Sequence, residues 1–447
     1  MLIEEIVTQS ITILITAYLA RILSPKDFGV IALAMVVFRF YEVLFEGGLS
    51  SSLIKERDIS NKDTSSIFWF NVTVGILLSI STFMFSSQLQ YFLGIDAPYV
   101  MCTMALLPLL RSLRIVPFSI LYRGMRYKRI FFINFFALLF SGIVAIITSN
   151  ISNGVMSLVL YRLSREFFVV VLLIQNIQKN VMVYFNKGIL TYHFRFSKFL
   201  TASGVLNVIF DNIHNFFLRN YYGLDSLGLY DRANNINRMP LLSGGNVLNK
   251  VTFPLFSSLG QKKNDLASML NAIVSVVFPL AVMIFFGLML GSNRIISILL
   301  GEKWLDSSEY LQILSPIILP YLGSVMLLSL LKSQGHSGTF FKLELIKKFM
   351  FFVMCLPFLM VSIRTFAVST VIVTYMGAYI TYYWALKKLD IDLKYFGIML
   401  MASTMCVFVI FFLYKLKHFV GLTLILLGLL VITIRRCYIL YEVLSEK

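Results

Sequence analysis

Arginines placed far from the ends of long apolar segments are the residues of this chain best suited to chemistry. Arg111 and Arg114 lie one helical turn apart in an apolar stretch that holds no acidic residue. Arg39, Glu42 and Glu46 recur at helical spacing in an earlier stretch, and Arg162, Arg165 and Glu166 cluster midway along a later one. A charge near the centre of a bilayer costs about 3 kcal/mol or more unless it faces a wet cavity. A guanidinium grips phosphate through parallel N–H···O bonds and stays charged at any physiological pH, so arginine at such a depth suits a pyrophosphate headgroup. Two arrangements fit these residues. In one, Arg39, Arg111, Arg114, Arg162 and Arg165 line a cationic cavity that binds an anionic substrate. In the other, the arginines neutralise Glu42, Glu46 or Glu166 on neighbouring segments and only hold the bundle together. Glu42 and Glu46 are candidates for exchanging a cation or proton for substrate. Asp211 and His214, one turn apart in the second half of the chain, are candidates for carrying protons.

The elements that must position these groups are membrane helices. Of 447 residues, 58% are apolar and 14% charged, whereas a soluble domain keeps about a quarter of its residues charged. Stretches of about 20 apolar residues recur near 3–22, 28–54, 66–87, 98–122, 130–149, 154–174, 196–218, 234–256, 268–290, 308–331, 343–363, 365–386, 395–414 and 419–437. The first is weakened by Glu4 and Glu5 and the eighth by Arg238, Asn246, Asn249 and Lys250, so 12–14 spans are expected. The net charge of +17 would suggest nucleic acid in a soluble protein, but here Lys and Arg sit in short connections between apolar segments. That placement excludes a nucleic-acid partner and points to membrane lipids. Cys102, Cys355, Cys406 and Cys437 lie in or beside apolar runs without spacing for a disulfide or zinc site, and no removable signal peptide is apparent. Trp304 and Trp384 fall near the expected membrane surfaces, where interface anchoring is the natural role.

The chain repeats a short signature. Asp27-Phe28-Gly29-Val30 with Ala34 recurs as Ser226-Leu227-Gly228-Leu229 with Ala233, an offset of 199 residues, and a Gly-Gly pair follows each copy. Duplicated halves of this kind are common in transporters and place a cavity between them near the midplane. The expected class is all-α: a multi-pass bundle of two pseudo-symmetric six-helix lobes plus two C-terminal helices. The first lobe spans 1–174, a connection 175–195, the second lobe 196–386, and the extra helices with the C-terminus 387–447.

Specific motifs lie on this framework. They are Leu19-Ala20-Arg21-Ile22-Leu23-Ser24-Pro25-Lys26-Asp27-Phe28-Gly29, Phe45-Glu46-Gly47-Gly48-Leu49-Ser50, Arg123-Gly124-Met125-Arg126-Tyr127-Lys128, Leu227-Gly228-Leu229-Tyr230 and Gly301-Glu302-Lys303-Trp304. In these motifs, spread over roughly residues 15–390, the chain resembles the oligosaccharide flippases of the Wzx type, within the multidrug/oligosaccharidyl-lipid/polysaccharide exporter superfamily. Glu46 stands where that family usually has Asp, Asn212-Ile213-His214 where it often has Asn-x-Asp, and Arg219-Asn220 where Gly-Arg is common. The resemblance implies a V-shaped bundle like that of the multidrug exporters, without catalytic residues or cofactor. It also implies movement of undecaprenyl-pyrophosphate-linked oligosaccharide, such as an O-antigen, capsule or exopolysaccharide unit, across the bacterial inner membrane. A polymerase and glycosyltransferases of the same pathway would be its partners.

Alternatives remain. A multidrug exporter of organic cations would favour an acidic cavity, opposite in sign to five mid-helix arginines against three glutamates. A lipid II flippase carries a similar headgroup. A membrane polymerase or ligase would show a long external loop with catalytic groups, whereas the longest polar connection, about 175–195, is cytoplasmic by the distribution of Lys and Arg and has no nucleophile-base constellation. With both termini on one side, 23 Lys and Arg residues share that side and 9 face the other, which makes the termini cytoplasmic. Accordingly, a fluorescent protein fused after Lys447 is expected to fluoresce and an alkaline phosphatase there to be inactive; the reverse pair of signals would remove this topology.

Overall fold

In hydrocarbon each backbone N–H and C=O must be satisfied inside the protein, so a chain this apolar has helices as its economical solution. The computed structural model describes residues 2–415 except 47, 57, 58, 96, 98, 152, 153, 261 and 392, and the described residues hold helices and turns with no strand. The span expected at 419–437 lies outside the described residues. In chain order the helices are α1 (Leu2–Ile22), α2 (Pro25–Glu46), α3 (Leu49–Lys55), α4 (Asn61–Met84), α5 (Ser86–Leu93), α6 (Val100–Met104), α7 (Leu107–Arg123) and α8 (Tyr127–Ile151). Then follow α9 (Val155–Asn180), α10 (Lys187–Ser258), α11 (Lys263–Leu299), α12 (Ser307–Leu314), α13 (Ile318–Ser333), α14 (Ser337–Leu359), α15 (Ile363–Leu389) and α16 (Lys394–Lys415). Seven stretches among the described residues are long and apolar enough to cross a membrane. The protein is a multi-pass helical membrane protein. Helices α9 and α14 have the length but carry Arg162, Arg165 and Glu166, or Lys342, Glu344, Lys347 and Lys348, inside it.

Several expected spans are interrupted for local reasons. The stretch 28–54 becomes α2 and α3 because Gly48 takes a left-handed φ of 66° ahead of α3. The stretch 308–331 is divided by a 3-10 turn over Ser315–Ile317, where Pro316 supplies no N–H. Conversely, 196–218 and 234–256 merge into the single helical run α10, which leaves helical geometry at Gly223 (φ 82°, ψ 177°). Trp304 ends a 3-10 turn, Glu302–Trp304, that follows Gly301 at φ 98°. Its indole is 0% exposed, so it is a core side chain and not the interface anchor that its place in the sequence suggested.

The chain divides into two compact units, Met1–Asp231 with Leu299–Lys303, and Arg232–Ile298 with Trp304–Lys447. In the first unit α8 packs along α9, α4 along α7, and α7 touches α2 and α9. The second unit has a continuous apolar core built on Phe256, Phe285, Phe286, Ile318, Leu327 and Phe396.

Within the first unit the repeated signature makes a contact with itself. A Cβ on Gly29 would stand 2.1 Å from the Leu224 carbonyl oxygen, and one on Gly228 would stand 1.9 Å from the Pro25 carbonyl oxygen. Leu224 and Pro25 each precede their copy's glycine by four residues, so the two contacts are equivalent under the 199-residue offset. Small residues let helix backbones approach this closely in a membrane, where dispersion contacts must substitute for the hydrophobic effect. The obstacle is backbone, which cannot rotate aside as a side chain does. Gly29→Val or Gly228→Val is therefore expected to abolish monodisperse protein on size exclusion, whereas Gly287→Ala, whose Cβ meets nothing within 4 Å, leaves it unchanged.

Candidate functional site

The first unit brings three charged helix faces together. Helical spacing puts Arg39, Glu42 and Glu46 on one side of α2. Helix α7, which starts on Leu107-Pro108 with the proline's missing N–H at a position that needs none, presents Arg111 and Arg114 one turn apart. Helix α9 contributes Glu166. The result is a closed quartet. Arg111 Nη1 donates to Glu42 Oε2 at 2.8 Å and Arg111 Nε to Glu166 Oε1 at 3.3 Å. Arg114 Nη2 donates to Glu42 Oε1 at 2.8 Å, and its Nη1 lies 3.2 Å from Glu166 Oε2. Each arginine meets both glutamates and each glutamate meets both arginines.

Of the two arrangements open from sequence, pairing between helices is the one Arg111 and Arg114 adopt. The physical reason is the depth of the site: the side chains of Arg111 and Glu166 are 8% and 9% exposed, so an unpaired charge there would bear its full desolvation cost. The quartet is neutral as a set. Glu42 and Arg114 are less enclosed, at 28% and 27%, which leaves that edge open to water or a ligand.

Arg39, Glu46, Arg162 and Arg165 lie on the same helices outside the quartet. Arg39 is exposed and donates through Nη1 to Asn212 Oδ1 on α10 at 2.8 Å. Glu46 is exposed at the end of α2, and Arg162 and Arg165 are half-buried on α9. Five arginines against Glu42, Glu46 and Glu166 leave these mid-helix faces with two excess positive charges. The structure separates the second candidate pair: Asp211 is exposed, while His214 is 8% exposed and meets the Tyr230 ring edge-on at 6.0 Å between centroids. No group of three or more His, Cys, Asp or Glu suited to a metal exists among the described residues.

Two residues were missed by reasoning from sequence. In the sequence Asn212 stands out only as a departure from a motif, yet its amide oxygen accepts from Arg39 and orients that guanidinium. Asn71 on α4 is 0% exposed, and neither of its amide atoms has a hydrogen-bond partner. A single asparagine in an apolar run offers no spacing to read. Near the start of α10, outside the expected membrane spans, His193 Nδ1 lies 2.7 Å from Ser52 Oγ and holds α3 in place. Burial lowers the His193 pKa from its ordinary value against the pull of Asp63 and Glu56, which favours the neutral ring.

The quartet's geometry predicts specific couplings. Arg111→Ala leaves Glu166 buried with one fewer partner and is expected to cost about 3 kcal/mol of stability. Adding Glu166→Gln should restore most of the loss, seen as a recovered thermal midpoint in detergent, whereas strictly additive losses would show that the pair is not coupled.

Comparison with known proteins places this geometry. The family model for polysaccharide biosynthesis proteins matches residues 18–309. The lipopolysaccharide biosynthesis protein WzxC of Escherichia coli is 24% identical over 348 residues, 74% of this chain and 68% of that protein. The succinoglycan biosynthesis transport protein ExoT of Rhizobium meliloti is 27% identical over 297 residues, 64% of this chain but only 58% of its own length. Among solved structures, the inward closed conformation of the lipid II flippase MurJ aligns with a TM-score of 0.75 at 16% identity, covering 99% of this chain and 98% of that one. An inward-facing multidrug resistance transporter of the MATE family aligns with a TM-score of 0.69 at 14% identity, covering 86% and 94%. At such identities the two structures establish a shared fold and nothing finer. The family match covers well over half of the sequence, and the chain accordingly belongs to the polysaccharide biosynthesis protein family, folded as a helical bundle of the MATE and MurJ kind.

Proposed function

We propose that this chain is a flippase that moves undecaprenyl-pyrophosphate-linked oligosaccharide from the cytoplasmic to the outer leaflet of a bacterial inner membrane by alternating access. The observation that carries this reading is the excess of arginine over glutamate on the mid-helix faces of α2, α7 and α9. A diphosphate headgroup needs such charge to leave water, and an organic cation would be repelled by it. Family membership and the names of relatives, a lipopolysaccharide biosynthesis protein and a succinoglycan transport protein, support a saccharide cargo. Translocation makes and breaks no covalent bond, so the site needs charge, hydrogen-bond donors and a conformational change, with no nucleophile or cofactor.

On this reading the arginines divide their work. Arg39, Arg162 and Arg165 meet the diphosphate, with Asn212 fixing the direction of the Arg39 guanidinium. Arg111 and Arg114 hold the frame and reach substrate across the more open Glu42 edge. Glu46, exposed near the same edge, is the group placed to exchange a cation or proton. Both termini lie in the cytoplasm, as do the glycosyltransferases that assemble the unit, and a polymerase takes over on the outer side.

The test is made in the native host. Cells carrying Arg39→Ala/Arg165→Ala at native expression are expected to lose surface polysaccharide at least tenfold and to accumulate the lipid-linked unit, with membrane levels of the protein unchanged. Arg39→Lys, which keeps the charge and loses the fork, should fall between. Normal surface polysaccharide in the double variant would remove these arginines from the substrate path.

A further inference from the structure

The connection between α9 and α10, residues 181–186, falls in the stretch that the sequence marks as polar, yet it is apolar where it is most exposed. Met182, Val183 and Phe185 are 55%, 94% and 56% exposed. A single exposed apolar side chain is ordinary, but three within four residues form a patch. A loop turned wholly to water would carry Asn, Asp, Ser or Gly at its tip.

Hydrogen bonds to α4, in the same unit, fix the height of this loop. Met182 N donates to Ser65 Oγ at 2.8 Å, and Asn186 N donates to Ser66 Oγ at 3.1 Å. The Met182 carbonyl accepts from Trp69 Nε1 at 2.8 Å and from Tyr184 N at 2.9 Å. The loop thus runs beside the early turns of α4, and Met182 reaches the level of Trp69. From the start of α4 at Asn61 that is about 12 Å along the helix axis. Met182 has therefore passed the charged turn of Lys62 and Asp63 and stands beside the apolar run expected at 66–87. Trp69 is 37% exposed with its indole N–H occupied, which is how a tryptophan sits at a membrane boundary.

The backbone fits the same level. The N–H groups of Met182, Tyr184 and Asn186 and the carbonyl of Met182 are satisfied within the protein, which lowers the cost of leaving bulk water. The segment is not helical, so it belongs at the headgroup boundary and not in hydrocarbon, where irregular backbone does not face lipid. Lys62, one turn nearer the helix end, holds its Nζ 5.6 Å from the centroid of the Tyr184 ring and keeps its charge on the watery side.

We infer that this connection is an interfacial anchor: Met182, Val183 and Phe185 insert into the boundary layer of the bilayer, with Ser65, Ser66 and Trp69 setting their depth. The partner is the lipid surface itself. The anchor stands apart from the arginines assigned to transport, so its failure would leave the proposed function untouched.

The test uses the whole chain in liposomes of phosphatidylethanolamine and phosphatidylglycerol. An environment-sensitive fluorophore is placed at Val183→Cys, or at Lys262→Cys in the exposed connection after α10, with the four native cysteines changed to Ser. The probe at 183 should be quenched by nitroxide-bearing lipid at least threefold more than the probe at 262, and correspondingly less by aqueous iodide. A photo-reactive benzoylphenylalanine at 183, in a chain that keeps its cysteines, should cross-link to phospholipid on irradiation, so the result does not depend on the cysteine-free chain folding. Equal quenching at the two positions by lipid nitroxide or by iodide, or cross-links from 183 to a second copy of the chain in place of lipid, would overturn the assignment.

Discussion

A charge enclosed among membrane helices must find an opposite charge or water, and the first unit is arranged around that requirement. Arg111 and Glu166, both nearly sealed from solvent, set the condition. Each could be stabilised by one partner, but a single pair leaves donors and lone pairs unused, each at a cost in low dielectric. Glu42 and Arg114 complete the set, so that three helices distant in sequence are tied at one point. The quartet fixes the rotation of α2, α7 and α9 about their own axes, because a quarter-turn of any one would bury a bare charge. Orientation of the remaining groups on those helices, Arg39, Glu46, Arg162 and Arg165, follows from that registration.

The glycine contact supplies a second constraint of a different kind. Gly29 and Gly228 bring backbone against backbone with no side chain between, a contact that depends on shape alone and carries no charge. The quartet is partly exposed along its Glu42–Arg114 edge, whereas the glycine contact leaves no room for a side chain.

Much of this was legible in the sequence, for reasons that can be stated residue by residue. The helices follow from apolar runs bounded by Lys and Arg, and the described helices cover those runs, although they split two of them and join two others. The charged faces were visible because Arg39, Glu42 and Glu46, and Arg111 and Arg114, repeat at the spacing of a turn. Whether Arg111 met a phosphate or Glu166 was not legible, because 55 residues separate the partners and helical periodicity says nothing about which faces meet. Asn71 and Asn212 were silent for the same reason, being single polar residues whose meaning lies in their neighbours. The interruption at Gly48 and the merger across Gly223 depend on individual dihedral angles, to which a hydropathy profile is blind. Trp304 illustrates the converse error, since an indole near a segment end suits an interface and a core equally well.

The central claim is that this chain carries a diphosphate-bearing, lipid-linked saccharide across a bilayer. It is tested most directly with purified protein in liposomes containing a fluorescent undecaprenyl-pyrophosphate oligosaccharide, by following the label's accessibility to an impermeant quencher. The account predicts transfer well above empty vesicles, competed by unlabelled substrate and not by the same oligosaccharide linked to a neutral polyprenol. Transfer no faster than in empty vesicles under any ion gradient, or equal competition by the neutral analogue, would contradict it.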